Sequence, residues 1–128
     1  MALQAGDTFK AADRSVESHV WVILSDPRAH AGYPVLIANL TSWRSGMDEA
    51  CVLHRGDHPL VSRKTCMNYR DSRLVEAGKL EAALAQGLLV SCRPVGARLL
   101  RRMRDGAAAS RFIPLRNLQL LKDQGLVE

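Results

Sequence analysis

The sequence predicts one α+β domain, with a strand-rich part over residues 5–75 and a helical part over residues 76–124. The chain has 128 residues, which is a usual length for one domain. Short apolar runs separated by turn sequences occupy the first part, whereas apolar residues recur at helical spacing in the second. Apolar residues make up 47% and charged residues 24% of the chain, which excludes disordered, collagen-like and disulfide-rich proteins.

Five strands are predicted in the first part, and turn residues separate them. They cover residues 6–10, 19–25, 34–41, 50–54 and 65–69. The second strand is strongly apolar and ends at the turn sequence Ser-Asp-Pro of residues 25–27. Strands of this length and spacing are typical of a small sandwich or barrel.

Three helices are predicted after the strands. They cover residues 76–86, 94–105 and 114–122. Gly87 is expected just beyond the first helix, and Gly106 just beyond the second. In the second helix Val95, Leu99 and Met103 form one apolar stripe, with arginines on the remaining faces. We expect the helices to share one core with the strands.

The net charge of +5 comes from one segment of the chain. Residues 93–116 contain seven arginines and one acid, Asp105, so this segment carries +6. Such a segment suits a polyanion such as RNA, and it suits a solvated helix face equally well. Arg98, Arg101 and Arg102 are the candidate RNA contacts within it.

No targeting or membrane segment is predicted. The longest run of large apolar residues, 20–24, is far shorter than the roughly 20 residues that span a bilayer. The start of the chain lacks the basic and apolar regions of a secretory signal. The cysteines, Cys51, Cys66 and Cys92, are odd in number and are interpreted as reduced thiols. We therefore expect a cytoplasmic protein that does not contact a membrane.

No cofactor and no metal are predicted. The glycine patterns that cradle nucleotide phosphates are absent from the sequence. Cys51, His54, His58 and Cys66 are near one another in sequence, as zinc ligands often are. However, the odd spacing between Cys51 and His54 would point their side chains to opposite faces of a strand.

Three residues near strand ends are the candidate catalytic groups: His19, Thr41 and His58. In a small barrel these ends can converge on one rim. There one imidazole could accept the proton of a ribose 2′-hydroxyl, and an acid could protonate the leaving 5′-oxygen. Taken singly, each histidine is more simply a satisfied or solvated side chain, as is expected of His30 and His54.

Four further residues suit contacts with RNA. Arg70 and Arg73 follow the fifth strand and could bind a phosphate through two hydrogen bonds. Trp43 and Tyr69 could stack on an unpaired base. Trp21, in the most apolar strand, is expected in the core instead.

Three segments resemble the toxin superfamily that includes MazF, PemK, Kid and CcdB. The Gly-Asp-Thr-Phe of residues 6–9 is similar to the family's first strand. Residues 19–27 resemble its strand ending in a Val-Val-Leu-Ser-Pro type sequence, and residues 34–42 resemble its strand ending in Thr-Thr or Thr-Ser. The resemblance implies an SH3-like antiparallel β-barrel of about five to seven strands, with the helical segment packed on it. It also implies a homodimer and a cognate antitoxin protein.

The resemblance places Thr41 on the threonine that takes part in cleavage, and His19 where the family has an arginine. The family's arginine-proline pair is replaced here by His19 and Val20. The chemistry is therefore reassigned among His19, Thr41 and His58, and the expected function is a toxin-like endoribonuclease that cleaves single-stranded RNA without metal. Two alternatives stay open. One is a barrel that binds a protein target, as CcdB-like members bind gyrase, and the other is an RNA-binding module without chemistry.

Overall fold

The computed structural model describes residues 2–15, 19–28 and 32–128, and His30 lies outside them. The strands are β1 (Thr8–Ala11), β2 (Trp21–Ile23), β3 (Pro34–Ser42), β4 (Val52–Leu53), β5 (Thr65–Glu76) and β6 (Leu89–Cys92). The helices are α1 (Ala77–Ala85), α2 (Ala97–Ala109) and α3 (Leu115–Asp123). This arrangement confirms the predicted α+β class.

The six strands form one antiparallel sheet in the order β4-β5-β3-β2-β1-β6. Within the described part of the chain, β4 and β6 are the two edges, so the sheet is open. Closure into an SH3-like barrel stays a prediction. None of the described helices has the length and apolar character needed to cross a bilayer.

The longest strand pair of the sheet is that of β3 and β5. Residues 35–40 of β3 are all buried, as expected for a strand that is covered on both faces. The register between the two strands shifts between Ile37 and Asn39, where β5 contains extra residues. β5 continues to Glu76, whereas the sequence predicted its end at residue 69. The prediction stopped early because the irregularity interrupts the alternation of apolar and polar residues that marks a strand in sequence.

The helical part of the chain contains a strand that the sequence analysis did not predict. β6 pairs with β1, and Leu89 lies opposite Ala11. Its apolar run, residues 88–90, is shorter than the roughly four to eight residues that predict a strand. In the structure, two of the four residues of β6 are exposed and two are partly buried. The chain reaches β6 through a tight turn at Gly87, whose φ of 75° agrees with its predicted place after α1.

The two faces of the sheet are covered by different helices. On one face, Val22 of β2 and Leu24, just after that strand, pack with Met103 of α2 and Leu121 of α3, and all four side chains are fully buried. The apolar stripe predicted for α2, to which Met103 belongs, is confirmed in this cluster. On the other face, α1 packs through Leu80 on a smaller cluster. We call these the helix-covered face and the α1 face.

A close contact fixes α2 on the helix-covered face. The sequence predicted Gly106 just beyond α2, but the structure places it inside the helix, where it is buried. A Cβ atom at this position would meet the Tyr69 hydroxyl and would lie 2.7 Å from the Cβ of Cys51. The Tyr69 hydroxyl in turn donates a hydrogen bond to the carbonyl oxygen of Met103 at 2.7 Å. Glycine is needed here because α2 approaches β5 so closely.

Candidate functional site

The structure brings His19 and Thr41 together across the β2–β3 pair. Trp21 lies opposite Asn39, and the amide of Leu40 donates to the carbonyl oxygen of Val20 at 2.9 Å. Continuing this register places His19 opposite Thr41. Opposed residues of an antiparallel pair point to the same side of the sheet, so the imidazole and the hydroxyl share one surface. His19 is exposed and Thr41 is partly buried.

His19 and Thr41 line a groove of about 720 Å³, which we call the polar groove. Its other polar lining side chains are those of Ser42, Arg44, Ser62, Arg63 and Thr65. Both arginines are exposed. Of the described residues that line this groove, none carries a carboxylate. A concave surface of this composition attracts anions, and it can give a phosphate both charge and hydroxyl donors.

A second groove adjoins the first, and His19 lines both. This apolar groove, of about 500 Å³, lies on the α1 face. Its floor is formed by the apolar side chains of Phe9, Trp21, Ile37, Val75, Leu80, Ala83 and Leu89. Two cations, Arg73 and Lys79, also line it. The guanidinium carbon of Arg73 lies 4.9 Å from the centroid of the Trp21 ring, which is a cation–π distance. Trp21 was expected in the core, but in the structure it is only partly buried.

His58 does not line the polar groove with the other two catalytic candidates. The His58 residue as a whole is 8% exposed. Nε2 lies 3.0 Å from the carbonyl oxygen of Pro94, and Nδ1 accepts a hydrogen bond from the amide of Leu60 at 3.1 Å. Both ring nitrogens are therefore satisfied by one neutral tautomer, with the proton on Nε2. Since Leu60, Ser62 and Arg63 line the groove, His58 holds the loop that carries them.

The two aromatic candidates for base stacking have different surroundings. Tyr69 is fully buried in the helix-covered face, so no base reaches its ring in this structure. Burial also raises the pKa of its hydroxyl above the ordinary value of 10.0. Trp43 is partly buried, and the Lys64 ammonium lies 3.7 Å from its ring centroid. Lys64 thus covers one face of the Trp43 ring, and Trp43 lines neither groove.

The predicted RNA-binding arginines are dispersed. Arg70 lies with its guanidinium carbon 4.5 Å from the ring centroid of Phe112, away from both grooves. On α2, Arg98 and Arg101 are exposed, and Arg101 lies 4.0 Å from Asp105. Arg102 donates to the carbonyl oxygen of Val52 at 3.0 Å and lies 3.5 Å from Asp57. Of the five predicted arginines, only Arg73 lines a groove that also contains His19.

Sequence analysis missed the two arginines of the polar groove, Arg44 and Arg63. A signal was present, because each lies in a short polar segment beside hydroxyl residues: Ser42 precedes Arg44, and Ser62 precedes Arg63. Nothing local showed that the two segments meet. The amide of Trp43 donates to the carbonyl oxygen of Lys64 at 3.0 Å, and this contact brings them together.

The described residues contain no group of three or more histidine, cysteine or acidic side chains placed to hold a metal ion. Cys51 and Cys66 are buried free thiols, and burial raises the pKa of each. Comparisons of the chain with protein-family models, with curated proteins and with solved structures find no match.

Proposed function

We propose that the protein is an endoribonuclease that cleaves single-stranded RNA in the polar groove without a metal ion. The observation that carries the proposal is the placement of His19 opposite Thr41, in a groove with two arginines and without a carboxylate among its described lining residues. The groove thus contains both a side chain that can transfer protons near neutral pH and a site that can bind a phosphate.

The phosphate is bound by Arg44 and Arg63. A guanidinium can donate two parallel hydrogen bonds to phosphate oxygens, and it stays charged at all physiological pH values. The Thr41 hydroxyl donates to a phosphoryl oxygen, where negative charge increases in the transition state. The absence of carboxylates from the described lining leaves this positive charge unopposed.

His19 transfers the proton in the cleavage step. Its neutral imidazole accepts the proton of the ribose 2′-hydroxyl while the 2′-oxygen forms a bond to phosphorus. The bond from phosphorus to the 5′-oxygen breaks, and the leaving oxygen takes a proton from water. The hydroxide that remains takes the proton from the His19 imidazolium, which restores the neutral imidazole. The products are a 2′,3′-cyclic phosphate and a 5′-hydroxyl. DNA, which lacks the 2′-hydroxyl, is bound but not cleaved.

His58 serves this site as a positioning residue. It was predicted to be the second proton-transfer group, but its ring nitrogens bind Pro94 and Leu60. By holding the loop of Leu60, Ser62 and Arg63, it keeps Arg63 at the groove.

A second candidate function is RNA binding without cleavage. The observation that favours it is that His19 is the one imidazole among the described lining residues of the polar groove, so no second imidazole protonates the leaving group. The homodimer and the antitoxin implied by the toxin resemblance stay predictions, which light scattering and co-purification can check.

The decisive experiment incubates the protein with a long mixed-sequence single-stranded RNA in excess EDTA. We expect fragments that end in a cyclic phosphate, and a rate about 10²–10⁴-fold lower for His19→Ala, because a positioned acid or base contributes that much. His54→Ala is the matched control, since His54 is an exposed histidine outside the groove. RNA binding without cleavage would select the second candidate function. If the protein neither binds nor cleaves RNA, both candidate functions are excluded.

A salt titration of RNA affinity locates the phosphate contacts. We expect the double substitution Arg44→Ser and Arg63→Ser to reduce the slope of log affinity against log salt by roughly 1.4, at ~0.7 per phosphate contact on a single strand. The double substitution Arg98→Ser and Arg101→Ser removes the same charge from α2 and is expected to leave the slope unchanged. The reverse result would place the RNA on α2, as the charge of that segment first indicated.

A further inference from the structure

The apolar groove is not explained by the proposed cleavage site, although it adjoins that site. It exposes part of the Trp21 ring beside Phe9 and Ile37, in a surface that α1 covers incompletely. Its volume of about 500 Å³ lies in the range of small-molecule sites, roughly 300–1,000 Å³. A mostly apolar concave surface of this volume is the usual form of a ligand site.

The charges at the rim of this groove restrict its occupant. Arg73 and Lys79 are cationic, and the Arg73 guanidinium lies against the Trp21 ring. Lys79 is partly balanced by Glu76 at 3.4 Å, but no acidic side chain is among the described residues that line the groove. The occupant therefore has a flat or apolar body and is attached to an anion. A guanidinium beside an indole is a combination that stacks on nucleobases.

The position of His19 connects the two grooves. His19 lines both, and Trp21 follows it by two residues on the same side of the strand. A ligand that places a phosphate beside His19 and Thr41 thus has the Trp21 surface directly next to it. A nucleotide has this form, with its base and its phosphate on opposite sides of one sugar.

We propose that the apolar groove binds a nucleobase of the RNA strand whose phosphate occupies the polar groove. This inference rests on the proposed function and names the part of the substrate that the second groove receives. The base stacks on Trp21 and Arg73. Because the lining is mostly apolar, all four bases bind with similar affinity, since stacking requires only a π face.

The test uses Trp21 as its own reporter. The chain has two tryptophans, Trp21 and Trp43, so Trp43→Phe leaves Trp21 as the only one. This variant is titrated with a 2′-O-methyl oligoribonucleotide, which cannot be cleaved by 2′-oxygen attack, and in parallel with inorganic polyphosphate. We expect the oligonucleotide to quench Trp21 emission. Polyphosphate is expected to compete for the polar groove without quenching.

A matched pair of substitutions on α1 tests the groove directly. Ala83 lines the groove, whereas its neighbour Ala82 is exposed and does not. We expect Ala83→Leu to fill the groove and to reduce oligonucleotide affinity about tenfold, as loss of one stacked base would. Its polyphosphate affinity is expected to be unchanged, and Ala82→Leu is expected to change neither affinity.

The outcomes separate this inference from the proposed function. Oligonucleotide binding by anisotropy with unchanged Trp21 emission, or equal affinities for Ala83→Leu and Ala82→Leu, would overturn the base site alone. A change of Trp21 emission with protein concentration and not with RNA would assign the groove to a second copy of the chain, and would also overturn it. Failure of RNA to bind at all would overturn both.

Discussion

The two faces of the sheet differ in how completely they are covered. On the helix-covered face, α2 and α3 bury Val22, Leu24 and Met103 completely. On the α1 face, one helix leaves Trp21 and Leu89 only partly buried, and a groove remains between them. The difference indicates a division of roles, in which one face supplies stability and the other presents the surface that a ligand can reach.

The largest expected effect is on the stability of the helix-covered face. Met103→Ala should reduce the free energy of unfolding by about 3 kcal/mol, because it removes a fully buried side chain and leaves a cavity. Leu84→Ala, on the α1 face, removes a partly buried side chain and should cost about 1 kcal/mol. Urea unfolding at neutral pH measures both values. Equal losses for the two variants would show that both faces contribute alike to the core.

Alanine substitutions of the two histidines predicted to be catalytic, His19 and His58, should lower the free energy of unfolding by different amounts. His58→Ala leaves the carbonyl oxygen of Pro94 and the amide of Leu60 without their partner, and should cost about 2 kcal/mol. His19→Ala changes an exposed side chain and should stay within about 0.5 kcal/mol of the wild type. Thermal unfolding of both variants, beside their cleavage rates, checks this. A His58→Ala protein as stable as the wild type would return His58 to the list of candidate catalytic groups.

The smallest effect concerns the Tyr69 hydroxyl, and it depends on pH. At neutral pH, Tyr69→Phe should cost about 1 kcal/mol, because the hydrogen bond to Met103 is lost. Burial raises the pKa of Tyr69 in the folded state, whereas the unfolded tyrosine ionises near its ordinary pKa of 10.0. The advantage of tyrosine is therefore complete below pH 10 and falls above it, by about 1.4 kcal/mol per pH unit. Urea unfolding of both proteins between pH 8 and about 11.5 measures the difference. A constant difference across this range would show that the hydroxyl is accessible to water.

Sequence patterns predicted the parts of the fold that depend on local periodicity. The stripe through Met103 indicated the buried side of α2, and Gly87 indicated the end of α1. The meeting of His19 and Thr41 was also predictable, because neighbouring antiparallel strands bring the start of one beside the end of the next. β6 was missed, because its apolar run is short and its pairing with β1 joins distant parts of the chain.

The candidate site was predicted only in part, for a similar reason. Residue type indicated that His58 and Tyr69 could take part in chemistry or binding, but not that both are buried with their polar atoms satisfied. Arg44 and Arg63 have the ordinary signature of loop residues. Their role in the polar groove arises from a contact between two loops.

By itself, the sequence determined the class of the fold, five of the six described strands, the three described helices, and the residue types available for binding and proton transfer. These depend on spacing and on side-chain chemistry, which are local properties. Only the tertiary structure decided that the sheet is covered unevenly, that His19 adjoins two grooves and that His58 holds a loop. Those outcomes depend on which distant segments pack together, and packing is set by the whole set of buried surfaces rather than by any one segment.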